Sequence, residues 1–174
     1  MRKVLQQKFF KRPTLLVAEE LLGKFLVRKR GKKEQAFMIT EVEAYDGLKD
    51  KASHAHYGQT ARNTIMFGEA GYWYVYLVYG MHHMLNIVTG DKEYPAAVLI
   101  RGVKNVSGPG GVTKFLSINM RFNKKKAERK SGLWIENRGV KVYKKDIKKT
   151  PRIGVEYAGP VWSKKLYRFV LEIK

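Results

Sequence analysis

Two periodicities of apolar and polar residues alternate along this chain. "RPTLLVAEELLGK" sets Leu15, Leu16, Leu21 and Leu22 in a helical stripe, with Thr14 placed to cap the helix and Gly23 to stop it. "KFLVRKR", "GKK" and "EQAFMITEVEAY" predict a strand, a turn and a second strand. "QTARNTIMFG" predicts a short helix capped by Thr60. "GYWYVYLVY" and "MLNIVTG" predict two strands joined through "GMHH", followed by a buried strand in "AAVLIRGV". "GPGGVTKFLSIN" opens on turn residues and continues as a helix, and "GLWIENRG", "PRIGVEYAG" and "LYRFVLEI" predict short late strands. No repeat or low-complexity linker breaks this order. The expected fold is α+β, a single domain over 1–174 with mostly antiparallel pairing.

The aromatic strand raises a question of its own. Side chains on a strand alternate faces, so Tyr72, Tyr74 and Tyr76 share one face, and Trp73, Val75, Leu77 and Tyr79 the other. Tyr79 precedes Gly80 and should stand at a hairpin tip beside Met81 and His82. Either the tip enters something apolar, such as a base stack, or Tyr79 folds back over the edge of the core.

Charge changes the picture. Thirty-five Lys and Arg oppose fifteen Asp and Glu, a net charge of +20. Such a field favours a polyanion, nucleic acid first and anionic lipid second, although a Lys-rich surface can also reflect heat adaptation. Residues 121–152 hold thirteen basic and three acidic side chains, whereas residues 34–50 invert the balance with five acids and one Lys. An acidic island in a basic protein asks for a chemical reason.

Candidate chemistry lies in that island. Glu41, Glu43 and Tyr45 share a strand face, where a carboxylate among aromatics can serve as a general base on water, or can simply line a solvated edge. His54, His56, His82 and His83 all fall within a 30-residue window near these acids, so a metal site is conceivable, but His-x-His on a loop is weak support for one. The absence of cysteine excludes disulfides and thiolate ligands. The N-terminal run has five basic residues without an apolar run behind them, and no long apolar stretch follows. A cytoplasmic protein with no membrane partner is expected.

At this point the residues carry a resemblance. "TEVEAYDG", "DKASHAHYGQTARNTIMF", "GYWYVYLVYGMHHMLNIV" and "AAVLIRGV", in this order and with "TPRIGVEYAG" near the end, resemble the alkyladenine (3-methyladenine, methylpurine) DNA glycosylases of the mammalian type. The resemblance implies a curved sheet with flanking helices and a protruding β-hairpin that inserts into DNA. It implies a monofunctional base-excision repair enzyme that flips an alkylated or deaminated purine from the duplex and hydrolyses its N-glycosidic bond, acting as a monomer without cofactor or metal. Carried onto this chain, Glu43 resembles the base that activates water, and Tyr45 and Tyr76 resemble walls stacked on the flipped base. His54 is expected as the other wall, Asn86 as the group disfavouring the amine of normal guanine, and Tyr79 as the wedge left in the duplex. Met81, His82, Arg101 and Lys114 are expected at the DNA backbone. The pattern departs at "GPGGVTK", where Gly111 and Val112 stand in place of a basic residue and Lys114 is the substitute. A cage of aromatic faces would favour cationic alkylated purines by about 0.5–2 kcal/mol.

Two other classes fit parts of the pattern. A metal-dependent nuclease could use the His and acidic cluster, and a catalytically silent DNA-lesion-binding module could keep only the pocket and the wedge. Chelator separates the first from a glycosylase, and base release separates the second.

Overall fold

The computed structural model describes residues 2–172. It begins with a short edge strand β1 (Lys3–Val4), a helical turn α1 (Gln7–Phe10) and a helix α2 (Thr14–Leu21), then β2 (Phe25–Arg30) and the long β3 (Lys33–Asp46). A 3₁₀ turn at Thr64–Phe67 leads into β4 (Trp73–Val78), β5 (His82–Val88), β6 (Ala96–Val103) and α3 (Pro109–Phe115). The chain ends with β7 (Leu133–Asn137), β8 (Ile147–Thr150), α4 (Gly159–Trp162) and β9 (Arg168–Leu171). The strands form one sheet in the order β1-β7-β2-β3-β6-β5-β4, with β9 joined to β3 and to β8. Every pairing is antiparallel, so the expected α+β class holds.

Apolar residues explain the layering. Val17, Ala18 and Leu21 of α2 are buried in one cluster with Leu26, Ile39, Val42, Ile87 and Ile100 of the sheet. Burying a Leu- or Ile-sized side chain contributes roughly 1.5–3 kcal/mol, so this stripe is what docks a helix of only eight residues.

β3 positions the site because it changes neighbours midway. Up to Met38 it pairs with β2, and from Glu41 it runs between β6 and β9, with irregular register from Ile39 to Val42. Glu41 and Glu43 therefore lie on an interior strand rather than at an edge. Gly102 permits the irregularity: a Cβ there would come within 3.0 Å of the Glu41 Cβ.

The β4–β5 turn is tight. Tyr79 and Gly80 have φ of 51° and 67°, and the Met81 N–H donates to Val78 O at 3.1 Å. The left-handed region costs a residue with a Cβ roughly 1–2 kcal/mol. Tyr79 adopts it with its side chain 89% exposed, so it does not fold back over the core.

Several local expectations need correction. Thr14 is the first helical residue rather than the cap: Pro13 precedes it, and the buried Thr14 Oγ1 accepts from Thr89 Oγ1 at 3.2 Å. Gly23 ends that helix region as expected, at φ 77°. Thr60 caps no full helix, because the Thr60 N–H donates to Asn63 Oδ1 and the Asn63 N–H to Thr60 Oγ1, closing a loop ahead of a single 3₁₀ turn. "PRIGVEYAG" is not a strand. Gly154 and Gly159 take φ of 74° and 79°, which turns the chain, and a 3₁₀ turn and α4 follow. β8 instead comes from "IKKT", which the pattern of apolar residues does not mark.

Candidate active site

Glu43 is fully buried and its carboxylate is held by three donors. Oε1 accepts from the Ile153 N–H at 2.8 Å, Oε2 accepts from the Tyr45 hydroxyl at 2.9 Å, and Arg101 Nη1 lies 3.5 Å from Oε1. Burial pushes its pKa up, and Arg101, the Ile153 N–H and the Tyr45 hydroxyl pull it part of the way back. Its neighbour Glu41 is tied differently: Oε1 accepts from Arg101 Nε at 2.9 Å and from Arg168 Nε at 2.7 Å. Most of the acidic island is occupied in the same manner. Glu34 pairs with Arg129, Asp50 with Arg152, and Asp46 accepts from the Tyr94 hydroxyl. Glu43 is the member that lines the open groove beneath the hairpin, a groove with Tyr79 on its rim.

A narrow aromatic slot opens from that groove, lined by Tyr45, His54, Tyr74, Tyr76, Asn86 and Tyr157 among others. The His54 and Tyr76 ring centroids are 4.6 Å apart at 64°, and Tyr74 lies 5.0 Å from Tyr76. A base stacked between two rings needs about 3.5 Å on each side, roughly 7 Å in all. His54 and Tyr76 therefore cannot face each other across a base. Their rings are in contact, which does not fit the expected placement of His54 opposite Tyr76, and Tyr45 lines the same slot. His54 Nδ1 is 3.0 Å from the Tyr74 hydroxyl, and Asn63 Nδ2 donates to His54 O at 2.8 Å, so both ring and backbone are fixed. The imidazole is open at the mouth of the slot, yet crowding and the Arg62 guanidinium push its pKa down. Asn86 is buried, and its Nδ2 donates to Tyr74 O at 3.1 Å and to Met84 O at 3.4 Å. With Nδ2 engaged by the backbone, Oδ1 remains as the atom available to a ligand.

The hairpin carries Tyr79 and Met81, 89% and 71% exposed, over the groove. His82 is exposed beside them and its ring lies over the first turn of α3, where a Cβ on Gly110 would meet Nδ1 at 3.0 Å. Gly110 thus makes room for this histidine. Lys114 is exposed farther along α3. Arg101, expected at the DNA backbone, lines the same groove and bridges Glu41 and Glu43 with its side chain only 12% exposed, since two carboxylates in an interior strand demand a counter-charge. The histidines do not converge: His56 Nδ1 contacts Leu48 O, and among the described residues no group of three metal-ligating side chains gathers.

A profile of the methylpurine-DNA glycosylase family matches residues 8–108 and 103–174. The chain belongs to the methylpurine-DNA glycosylase family. It is therefore a DNA glycosylase, a hydrolase of N-glycosyl bonds whose substrate is DNA. Similar proteins named "Putative 3-methyladenine DNA glycosylase" include one from Borreliella afzelii, 43% identical with 94% of each chain covered. Others come from Methanocella arvoryzae, 44% identical over 90% of this chain and 86% of the relative, and from Legionella pneumophila strain Paris, 41% identical over 99% and 96%.

Several groups of this glycosylase's site escaped the sequence reading. Arg152 is buried with Asp50 in a bidentate pair, Nη2 to Oδ1 at 2.8 Å, and its Nη1 donates to Ala44 O at 2.8 Å. Its guanidinium carbon is 4.8 Å from the Tyr45 ring centroid. The pair braces the loop that delivers the Ile153 N–H to Glu43. Arg62, from the "TARN" segment, donates from Nη2 to Leu77 O at 3.0 Å and sits 5.0 Å from the Tyr76 ring centroid. A backbone donor such as Ile153 leaves no mark in a side-chain pattern. The one legible sign was "PRIG" itself, an Arg next to Pro and Gly in a segment already matched to the family.

Proposed function

We propose that this glycosylase works by base flipping, with Glu43 as the group that activates water and the slot between Tyr45 and the His54–Tyr76 wall as the receptor for the extruded purine. The observation that carries this reading is the placement of one fully buried, three-fold supported carboxylate in the groove from which the aromatic slot opens. In the reaction, a water oxygen bonds to C1′ as the C1′–N bond breaks. The purine leaves with the bonding pair, and Glu43 takes a proton from the water. Cationic sugar character in the transition state favours an anion beside it, so the same carboxylate acts as base and as electrostatic partner. An N3- or N7-alkylated purine departs as a neutral ring, whereas a neutral lesion needs a proton delivered to the leaving ring.

The other roles follow from position. Tyr79, held out on the strained turn, fills the gap left in the duplex, and Met81 and His82 flank it against the backbone. Lys114 on α3 meets a phosphate. Asn86 excludes the guanine amine by shape, since an amide oxygen alone would accept a bond from it. Arg101, in the groove lining, orients the carboxylates and meets the backbone near the flipped nucleotide. We read the arrangement as the mammalian type of the family, acting as a monomer on damaged purines in the cytoplasm. The test is base release from duplex oligonucleotides with single defined lesions, with and without EDTA. Excision of at least one alkylated or deaminated purine, unchanged by EDTA, is expected. Chelator-sensitive strand cleavage without base release would overturn the reading in favour of a metal nuclease, and lesion binding without release in favour of a silent module.

A further inference from the structure

A second basic concavity lies away from the aromatic slot, where the end of β2 meets the segment after α3. Seven of its eleven lining residues are Lys or Arg and none is acidic. At its base is Arg28, 4% exposed, whose Nη1 donates to Lys29 O and to Gly132 O. Its Nε is buried without a hydrogen-bond partner among the described residues. Leaving a buried donor on a charged group unsatisfied costs about 1–3 kcal/mol or more. The guanidiniums of Arg28 and Arg121 lie 4.6 and 5.3 Å from the same Phe122 ring centroid, so two like charges share one aromatic support. Burial first, then Arg121 and Arg30, push the Arg28 pKa down, as expected where positive charge is concentrated without a counter-ion. Gly132, at φ 76°, allows the approach, since a Cβ there would be 3.4 Å from Arg28 Nη1.

Arg129 at the edge of the pocket is paired with Glu34 and Glu136, but Arg28, Arg30, Arg121, Lys125 and Lys130 have no carboxylate partner among the described residues, an arrangement suited to an external anion. We propose that Arg28, Arg30, Arg121, Lys125 and Lys130 form a phosphate-binding site separate from the catalytic groove, filled by a backbone phosphate of the duplex flanking the lesion or by a free phosphate compound. Arg28 pairs with Gln35 on β3, eight residues from Glu43. At about 3.4 Å per residue this is roughly 27 Å, comparable to about eight base pairs of duplex rise. The phosphate chemistry stands by itself, and only the duplex source rests on the DNA reading above.

The test uses the exposed members, because removing Arg28 can unfold the chain. Arg30→Gln, Arg121→Gln and Lys125→Gln are combined, with Lys144→Gln, Lys145→Gln and Lys148→Gln combined as a control of equal charge change. Pyrophosphate is titrated calorimetrically into each protein, and affinity is measured for lesion duplexes of about one and about four helical turns (~10 and ~40 base pairs). Base release from the short duplex reports folding, and Glu43→Gln reports separately on the catalytic reading. The expected result is that the first variant alone loses pyrophosphate affinity at least tenfold, or alone loses the preference for the long duplex with a salt slope about 2 units shallower. Loss in the duplex arm identifies flanking DNA as the source, and loss in the pyrophosphate arm alone identifies a free phosphate compound. Equal behaviour of the two variants in both arms overturns the site.

Discussion

The Tyr45 hydroxyl donates to Glu43 Oε2 at 2.9 Å, so a ring that lines the aromatic slot also holds the buried carboxylate that lines the groove. In the function proposed above, binding and chemistry share a hydrogen bond. Replacing Glu43 by Gln keeps the size and an acceptor for the Ile153 N–H but removes the anion and the base. Lesion binding should persist while single-turnover excision falls at least ~100-fold. Excision within tenfold of wild type would remove Glu43 from this role.

The same substitution makes a stability prediction with a defined sign. The folded-state pKa of Glu43 is raised above 4.5, chiefly by burial, so the folded protein binds this proton more tightly than the unfolded chain. The contribution is present below the unfolded value and is lost as pH rises through the folded one. Glu43→Gln should therefore be at least as stable as wild type at neutral pH, with its relative advantage shrinking in acid. Urea denaturation at several pH values checks this, and a neutral-pH loss above ~1 kcal/mol contradicts it.

If ionised Glu43 activates the water as proposed, activity should fail in acid at a pH above the ordinary Glu range, because burial raises its pKa. Tyr45→Phe removes a bond that pulls that pKa down, so the acid limb of single-turnover excision should move to higher pH. A limb that stays in place means that the hydroxyl does not govern the carboxylate.

Tyr79 and Tyr76 should differ in kind when changed. Tyr79→Gly relieves a left-handed φ and should stabilise the fold by about 1 kcal/mol. It should also weaken binding to lesion duplexes, with excision from single-stranded substrate less affected because extrusion there is easy. Tyr76→Ser removes a wall, and its loss should follow the base in either strand context. Equal losses for both variants on duplex and single-stranded substrates would show that the tyrosines have no separate duties.

Asp50→Ala leaves Arg152 buried without its partner and should destabilise the protein by ~3–5 kcal/mol. Thermal denaturation measures it, and a loss below ~1 kcal/mol would mean that the pair is not what braces the Ile153 loop.

Legibility in the sequence followed the range of the forces involved. The β4–β5 hairpin was readable because alternation and Gly80 are local, and the strand from Ala96 because it is a continuous apolar run. Thr14 misled because an N-terminal Thr is a cap only if the chain turns there, and a tertiary contact with Thr89 claimed its hydroxyl. Glu43 is singled out by its motif, yet its burial depends on β9, a strand 125 residues downstream of it that pairs at Glu43↔Arg168. The acidic island asked for a reason, and most of that reason is ion pairing with Arg101, Arg152 and Arg168, which distance along the chain conceals.

Arg62 over Tyr76 has a further consequence, for which lesions are preferred. The ring that would attract a positively charged purine already has a guanidinium 5.0 Å from its centre. A cation on the other face of that ring would sit roughly 8–9 Å from Arg62, and at an effective dielectric of about 20 their repulsion is about 2 kcal/mol before solvent screening. That is comparable to the cation–π attraction the cage was expected to provide. Tyr45 is in a similar position with Arg152, although Asp50 neutralises that charge. If the slot receives the base as proposed, it should discriminate on shape and stacking more than on charge, with neutral deaminated purines accepted beside the alkylated ones. Arg62→Gln should shift the ratio of excision rates towards a cationic lesion over a neutral one by at least ~3-fold, and an unchanged ratio would show that the arginine does not set the charge preference of the pocket.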